Sequence, residues 1–516
     1  MSYHLLEYFA IFLPTVILVY QLCPQKFRKG VLLLANYIFF YLISGKLLMY
    51  LLGATVFTHY IGIWIENVAL TTEGNAKLIT YKKRRVLAVG VVASVGLLVM
   101  LKYLNFFGQT ASDFVNLFTD AWKFEPIKFM VPVGLSFYTL QMIAYMTDVY
   151  RGKQKAEHNL FKMALYLSFF PQVMEGPISR FAEVADSLYE GRKIAFKNLK
   201  FGYQRILWGL FKKIVIADRI YVTVGYVFDN YMELDGSIIA FGVVCYTAQL
   251  YMEFSGCMDI IIGSGEIFGV TLPENFRQPF AAKDASEFWR RWHITLGAFF
   301  KDYIFYPVSL AKPVKNFAKK FKERFGRNVS QFVAPTIALF CVWSCNGLWH
   351  GANWTFIFYG MYYFVLIFLE NITEAPIKKL AEKLNINRQG SRYRVFQAIK
   401  MFLIINVGEL FFRADTLTDG FAMLGKIVTN FNITELIYKI TLLKMDAADL
   451  IIAAIGIIIV AIVGKLHEKG VKIREAIAGW NIVARWSLWY AGAVVVVLFG
   501  AYGVGYTIVE MIYAGY

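Results

Sequence analysis

Two histidines stand in surroundings that could put an imidazole to work. His350 lies in GLWHGANW (347–354), framed by Trp349, Gly351 and Trp354. Apolar sequence flanks it on both sides, APTIALFCVWSCN before and TFIFYGMYYFVLIFLE after, so its expected place is at membrane depth. Imidazole titrates near neutrality, with an ordinary pKa of about 6.5, so one group can take a proton and return it. Shielded from bulk water, it is a candidate general base toward a hydroxyl nucleophile. Gly347 and Gly351 leave room for a substrate or another backbone to approach closely. The bland alternative is a packed histidine hydrogen-bonded to neighbouring helices.

His293 lies in SEFWRRWHITLGAFFKDYIFYP (286–307), where charges are spread through aromatic sequence. If helical, the run puts Phe288, Trp292 and Phe299 on overlapping faces. An interfacial amphipathic helix with snorkelling cations gives the same pattern. Asp284, Glu287 and Asp302 fit that picture less well, because an anionic membrane surface repels carboxylates. A phosphate- or nucleotide-bearing ligand on the cytoplasmic side suits Arg290, Arg291 and Lys301. Of the other histidines, His4 and His467 are expected at the surface, His59 within a span, and His158 at the start of a basic interfacial stretch.

The elements that must hold these residues belong to a bilayer. Of 516 residues, 58% are hydrophobic and only 17% charged. A soluble domain carries about 25% charged residues, and a mean hydropathy of +0.50 points the same way. Apolar runs that span, or nearly so, cover 5–22, 31–43, 47–65, 86–104, 128–148, 203–222, 238–256, 331–345, 353–370, 397–413, 449–464 and 484–508. Several fall short of the ~20 residues a full crossing needs. The expected fold class is therefore an all-α polytopic membrane protein of about eleven or twelve transmembrane helices. One domain is expected over 1–516, with a core to about 413 and an extension over 414–516 that adds two further spans and an aromatic tail.

Charge sets the orientation. The loops 24–30, 81–85 and 151–155 are basic, 311–330 holds seven Lys/Arg to one acid, and 371–396 holds six basic residues to two acidic. The alternate loops differ: 105–127 has one basic residue and three acids, and 223–237 has three acids and no base. The positive-inside rule then places the basic loops in the cytoplasm and both termini outside. That accounts for the excess of 53 Lys plus Arg over 36 Asp plus Glu without nucleic acid. The five cysteines sit in or beside apolar segments and form neither a disulfide framework nor a zinc spacing. No cleavable signal peptide, internal repeat or soluble domain is evident. Two stretches, 158–181 and 274–308, are too broken or too charged to span. Such backbone persists at membrane depth only when buried in protein or lining a wet cavity, so they are expected as re-entrant or interfacial elements around a central tunnel.

Five stretches in order carry a resemblance: VPVGLSFYTLQMIAYMTDVYRG (131–152), FFPQVMEGPISR (169–180), FRQPFAAKDASEFWRRWHITLGAFFKDYIFYP, NGLWHGANWTFIFYG, and GELFFRADTLTDGFAML (408–424). Together they resemble the membrane-bound O-acyltransferases, most of all the bacterial branch with alginate O-acetyltransferase and the teichoic-acid D-alanyl transferase. The resemblance implies that His350 is the principal catalytic histidine and His293 the second, facing the donor side. Candidates for donor binding or the tunnel are Arg290, Arg291, Trp292, Lys301, Asp302, Asn346 and Trp349. His293, Asn346 and Trp349 are also the donors the sequence offers to an oxyanion. The tail MIYAGY (511–516) is similar to an aromatic C-terminal hexapeptide of the alginate type, which makes Tyr513 an acyl relay candidate; an interfacial belt tyrosine is the plain alternative. Met511 and Tyr516 depart from the phenylalanines the family favours there.

The expected activity is transfer of an acetyl group from a cytoplasmic thioester, acetyl-CoA, across the bacterial cytoplasmic membrane for O-acetylation of an exported or cell-surface polysaccharide. An extracytoplasmic acetyltransferase is the expected partner, and neither a bound cofactor nor a metal is expected. One rival keeps the enzyme class but moves D-alanine from a carrier protein. Another, from a different class, is a proton-coupled transporter or flippase, which usually shows paired internal repeats.

Overall fold

The structure, a computed structural model, describes residues 2–119, 122–502 and 509. The secondary structure of these residues is helical, with no strand among them. Eight segments are long and apolar enough to cross a bilayer: Gln25–Thr71, Ala76–Asn116, Gly236–Ile267, Val329–His350, Trp354–Lys383, Ser391–Arg413, Ala447–Glu468 and Ile482–Phe499. The first contains two helices, Gln25–Ser44 and Leu48–Thr71, separated by a short 3-10 turn that begins at Gly45.

Of the twelve expected runs, 31–43 and 47–65 fall together in Gln25–Thr71, and three others do not stand among these eight segments. Residues 5–22 form a helix, Glu7–Leu22, too short to cross fully. In 128–148 the helix begins only at Leu135, because Gly134 turns the chain at φ 76° and presses on the Val173 carbonyl, 2.0 Å from where a Cβ would sit. Residues 203–222 are helical but carry Arg205, Lys212, Lys213, Asp218 and Arg219, and their middle, Phe211–Ala217, winds as a π-helix.

The described residues divide into two compact units, one within 1–206 and 258–273, the other within 207–257 and 274–509. In the first unit, 158–181 is the broken element the sequence predicts. A helix Leu160–Ser168 gives way to turns and then to the helix Phe181–Glu190. The turns are buried, so side chains must satisfy their backbone. Asn36 Oδ1 accepts from the Phe170 N–H at 2.9 Å, Tyr3 donates to the Phe170 carbonyl at 2.7 Å, and Tyr166 donates to the Ser179 carbonyl at 2.9 Å. The anchoring role of Tyr3 also corrects an expectation: His4 is not at the surface but 7% exposed, drawn in with its neighbour.

The second unit holds both histidines of interest. Its helices Arg327–His350 and Trp354–Lys383 cross so closely that a Cβ on Gly347 would meet the Phe356 carbonyl oxygen at 2.6 Å, and one on Gly360 the Trp343 carbonyl oxygen at 2.4 Å. Small residues at such crossings are how helices pack tightly in lipid. Gly347 thus admits a neighbouring backbone. The same unit buries a charge cluster: Lys213 Nζ lies 2.7 Å from Asp218 Oδ1 and 2.9 Å from Glu253 Oε1, and donates to the Val509 carbonyl at 3.3 Å. Burying a cation requires such partners.

Candidate functional site

His350 is the last residue of the helix Arg327–His350. A bend at 351–353 follows, and Asn353 caps the next helix, its Oδ1 accepting from the Thr355 N–H at 3.1 Å. The imidazole is 3% exposed and boxed by rings, with Phe412 edge-on at 5.0 Å, Tyr359 at 6.0 Å and Trp349 at 5.1 Å between centroids.

His293 reaches the same cluster from another element. The expected helix through 286–307 breaks at Trp292 and His293, giving separate short helices Ala285–Arg291 and Ile294–Phe300. At the break His293 takes left-handed backbone angles, φ 47° and ψ 51°. Such a conformation is uncommon outside glycine, although histidine tolerates it better than most, and it persists only where the surroundings enforce it. Asn275 does the enforcing. Its carbonyl accepts from the Ile294 N–H at 3.0 Å, and its Oδ1 accepts from the Thr295 N–H and hydroxyl at 3.0 and 2.9 Å. The same Oδ1 lies 3.3 Å from His293 Nδ1. An oxygen that already accepts from a backbone N–H can only accept again, so Nδ1 donates its proton and Nε2 is left with the lone pair. Burial, then the nearby His350, hold His293 well below the usual histidine pKa, so it is neutral.

One indole joins the two. The Trp349 ring centroid is 5.3 Å from that of His293 and 5.1 Å from that of His350. Asn346, one turn before His350 on the same helix, is 4% exposed, and its Oδ1 has no hydrogen-bond partner among the described residues. The structure thus gathers His293, Trp349, Asn346 and His350. Trp292 is adjacent in chain but turns its ring toward Phe276 and Phe288, at 5.1 and 5.5 Å.

The cationic candidates lie apart from this cluster. Arg291 forms ion pairs with Glu287 at 2.8 Å and Glu468 at 2.7 Å, so its charge is already committed within the protein. Burial pulls the arginine's pKa down, but the two carboxylates raise it on balance; against the upward push of burial on Glu287, the Lys283 N–H and Arg291 hold that carboxyl low. Asp284 is a helix cap, its Oδ1 accepting from the Glu287 N–H at 2.6 Å. Hence two of the carboxylates that looked out of place on an interfacial helix have local structural work. Arg290 is two-thirds exposed, 4.0 Å from Asp284. Lys301 is exposed, with its ammonium 5.9 Å from the Tyr306 ring centroid, and Asp302 is half-buried within the π-helical turn that follows. Tyr513 lies outside the described residues.

Three polar residues that shape the site carried no assigned role in the sequence: Asn275, Tyr359 and Glu409. Glu409 is 1% exposed; its Oε1 accepts from the Tyr359 hydroxyl at 3.2 Å, while Oε2 has no partner among the described residues. The available signal was an ionisable side chain inside an apolar run, GELFF, which is expensive in a bilayer and marks function by default. Asn275 gave no such signal, because its work is local backbone geometry.

Comparison with known proteins identifies the family. Residues 153–411 match the membrane-bound O-acyltransferase family model. The chain is 31% identical over 413 residues to the probable alginate O-acetylase of Pseudomonas aeruginosa, covering 80% of this chain and 72% of that one. It is 29% identical over 430 residues to the peptidoglycan O-acetyltransferase of Helicobacter pylori, covering 78% and 74%. It is 26% identical over 257 residues to the teichoic acid D-alanyltransferase of Bacillus subtilis, covering 48% and 60%.

Proposed function

The chain belongs to the membrane-bound O-acyltransferase family and is an O-acyltransferase; from that premise we propose that it carries acetyl groups from a cytoplasmic thioester to an exported or cell-surface polysaccharide. What carries the reading is the pair of buried imidazoles that both contact the Trp349 indole. Acyl transfer from a thioester needs a base for the incoming hydroxyl and donors for the oxyanion. His350 takes the hydroxyl proton as the oxygen attacks the thioester carbonyl. The tetrahedral intermediate then collapses, the C–S bond breaks, and the thiolate leaves with the proton His350 held. The amide N–H groups of Asn346 and the indole N–H of Trp349 are the donors nearest to hand. His293, neutral and fixed through Nδ1, presents Nε2 on the donor side.

The donor is acetyl-CoA in this reading, with Arg290 and Lys301 as the cations left for its phosphates, since Arg291 is committed to Glu287 and Glu468. The acceptor class is supported by relatives named for alginate and for peptidoglycan. An extracytoplasmic acetyltransferase receives the group, and Tyr513 is the relay to it. The membrane is the bacterial cytoplasmic membrane, with both termini outside, as the basic loops imply. D-alanyl transfer remains a second reading on the strength of the teichoic-acid relative, which covers about half of this chain. The deciding experiment supplies inside-out vesicles with labelled acetyl-CoA or with a D-alanyl carrier protein. Transfer from acetyl-CoA that survives unchanged in His350→Ala removes His350 from the chemistry, and transfer from the carrier alone replaces the acetyl reading.

A further inference from the structure

Within the basic segment 311–330 lies a discrete helix, Lys312–Phe325, that starts on a proline-bearing first turn and ends at Gly326, φ 79°. Its residues sort by face. Val314, Ala318 and Phe321 are half-buried, at the spacing that makes one helical stripe. Phe317 and Phe325 flank that stripe at 51% and 49% exposure, and the Phe321 ring packs against both, at 5.8 and 4.5 Å. The remaining faces carry Lys312, Lys315, Lys319, Lys320, Lys322 and Arg324 against a single acid, Glu323. None of the five lysines forms an ion pair among the described residues, whereas Arg291 and Lys400 each have a carboxylate.

From this pattern we infer that the Lys312–Phe325 helix is a binding site for anionic phospholipid, lying in the membrane surface with Phe317 and Phe325 among the acyl chains and the lysines on lipid phosphates. Position supports it. Gly326 alone separates this helix from Arg327–His350, whose membrane-crossing part begins at Val329, so the helix sits at the level where a span leaves the bilayer. Two exposed phenylalanines beside unpaired lysines are the composition of a surface-lying helix: the rings gain from burial and each cation gains from a negative surface. An acidic protein partner is served by the lysines but leaves those rings in water. The consequence concerns the site directly, because the helix held by lipid is continuous in chain with the one that ends in His350.

The test uses the full-length protein in nanodiscs of phosphatidylcholine and phosphatidylglycerol, with a photoreactive benzophenone residue replacing Phe317. Irradiation is expected to give lipid adducts in which phosphatidylglycerol exceeds its share of the bilayer by about fivefold or more, roughly what one surface cation contributes. Enrichment should fall to parity in 1 M salt, and in the Lys315→Gln, Lys319→Gln, Lys320→Gln, Lys322→Gln variant. Adducts confined to the protein itself overturn the inference, as do lipid adducts without a preference for phosphatidylglycerol. Adducts to an added acidic carrier protein in place of lipid overturn it too. The readout is independent of acyl transfer, and circular dichroism of the variant separates lost binding from lost folding.

Discussion

At the scale of single residues, the site is two imidazoles held by very different means. His350 is positioned by the end of a helix and a ring of aromatic neighbours, His293 by one amide that freezes an unfavourable turn. Removing His350 as His350→Ala should lower acetyl transfer by about 10²–10⁴-fold, the usual worth of general base help, with little change in KM; pre-steady-state transfer in vesicles measures this. Asn275→Ala should act through His293. It releases the left-handed turn and the Nδ1 partner, so kcat should fall while the thioester KM holds, and Asn275→Asp, which still accepts, should recover part of it. Equal loss in both variants with a lowered melting temperature would mean a purely structural role. The pH profile follows from the depressed pKa of His293. A group whose pKa is lowered stays neutral as pH falls through about 6.5 and protonates only below it. His293 should therefore add no acid limb of its own in the ordinary histidine range, and a limb found there belongs to the base, His350; transfer by Asn275→Ala, measured against pH, should keep that limb at lower amplitude.

At the scale of elements, tight crossings and buried polar contacts decide what the site tolerates. Gly347→Leu drives a side chain into the Phe356 backbone and should cost at least the ~1–3 kcal/mol of an overpacked core; a reduced yield of folded protein in mild detergent is the expected sign. Glu409→Leu removes the hydrogen bond from Tyr359 and should cost about 0.5–1.5 kcal/mol, while Glu409→Gln keeps an acceptor oxygen and should stay close to the parent in thermal stability. These elements were unevenly legible in sequence. The long apolar helices were plain, because twenty apolar residues in a row leave a chain few alternatives to spanning a bilayer. The break at Trp292–His293 was not, since local composition favours a continuous helix and the interruption is imposed by Asn275, eighteen residues away. Span boundaries were harder to read for a related reason: apolar content alone does not reveal the turn at Gly134 or the π-helical winding at 211–217 within 203–222.

At the scale of the whole molecule, polarity of insertion is the property most open to direct measurement. From the distribution of lysine and arginine, Lys315 is expected in the cytoplasm and Asp235 outside. In a background without reactive thiols, a cysteine at 315 should be labelled by a membrane-impermeant maleimide only after cells are opened, and one at 235 in intact cells. The opposite pattern inverts the topology and with it the direction of transfer. His293 and His350 stand out in the sequence, because an ionisable ring amid lipid-soluble sequence is conspicuous. Their shared contact with Trp349 does not, since no spacing along the chain encodes a common neighbour.

The left-handed backbone at His293 limits what mutation can do there. A library randomised at that codon is sieved twice, first by a peptide geometry that β-branched side chains resist and then by the need for a ring nitrogen. Asparagine and glycine should pass the first sieve and emerge as well-folded, inactive proteins, whereas valine and isoleucine should be lost before activity is ever assayed.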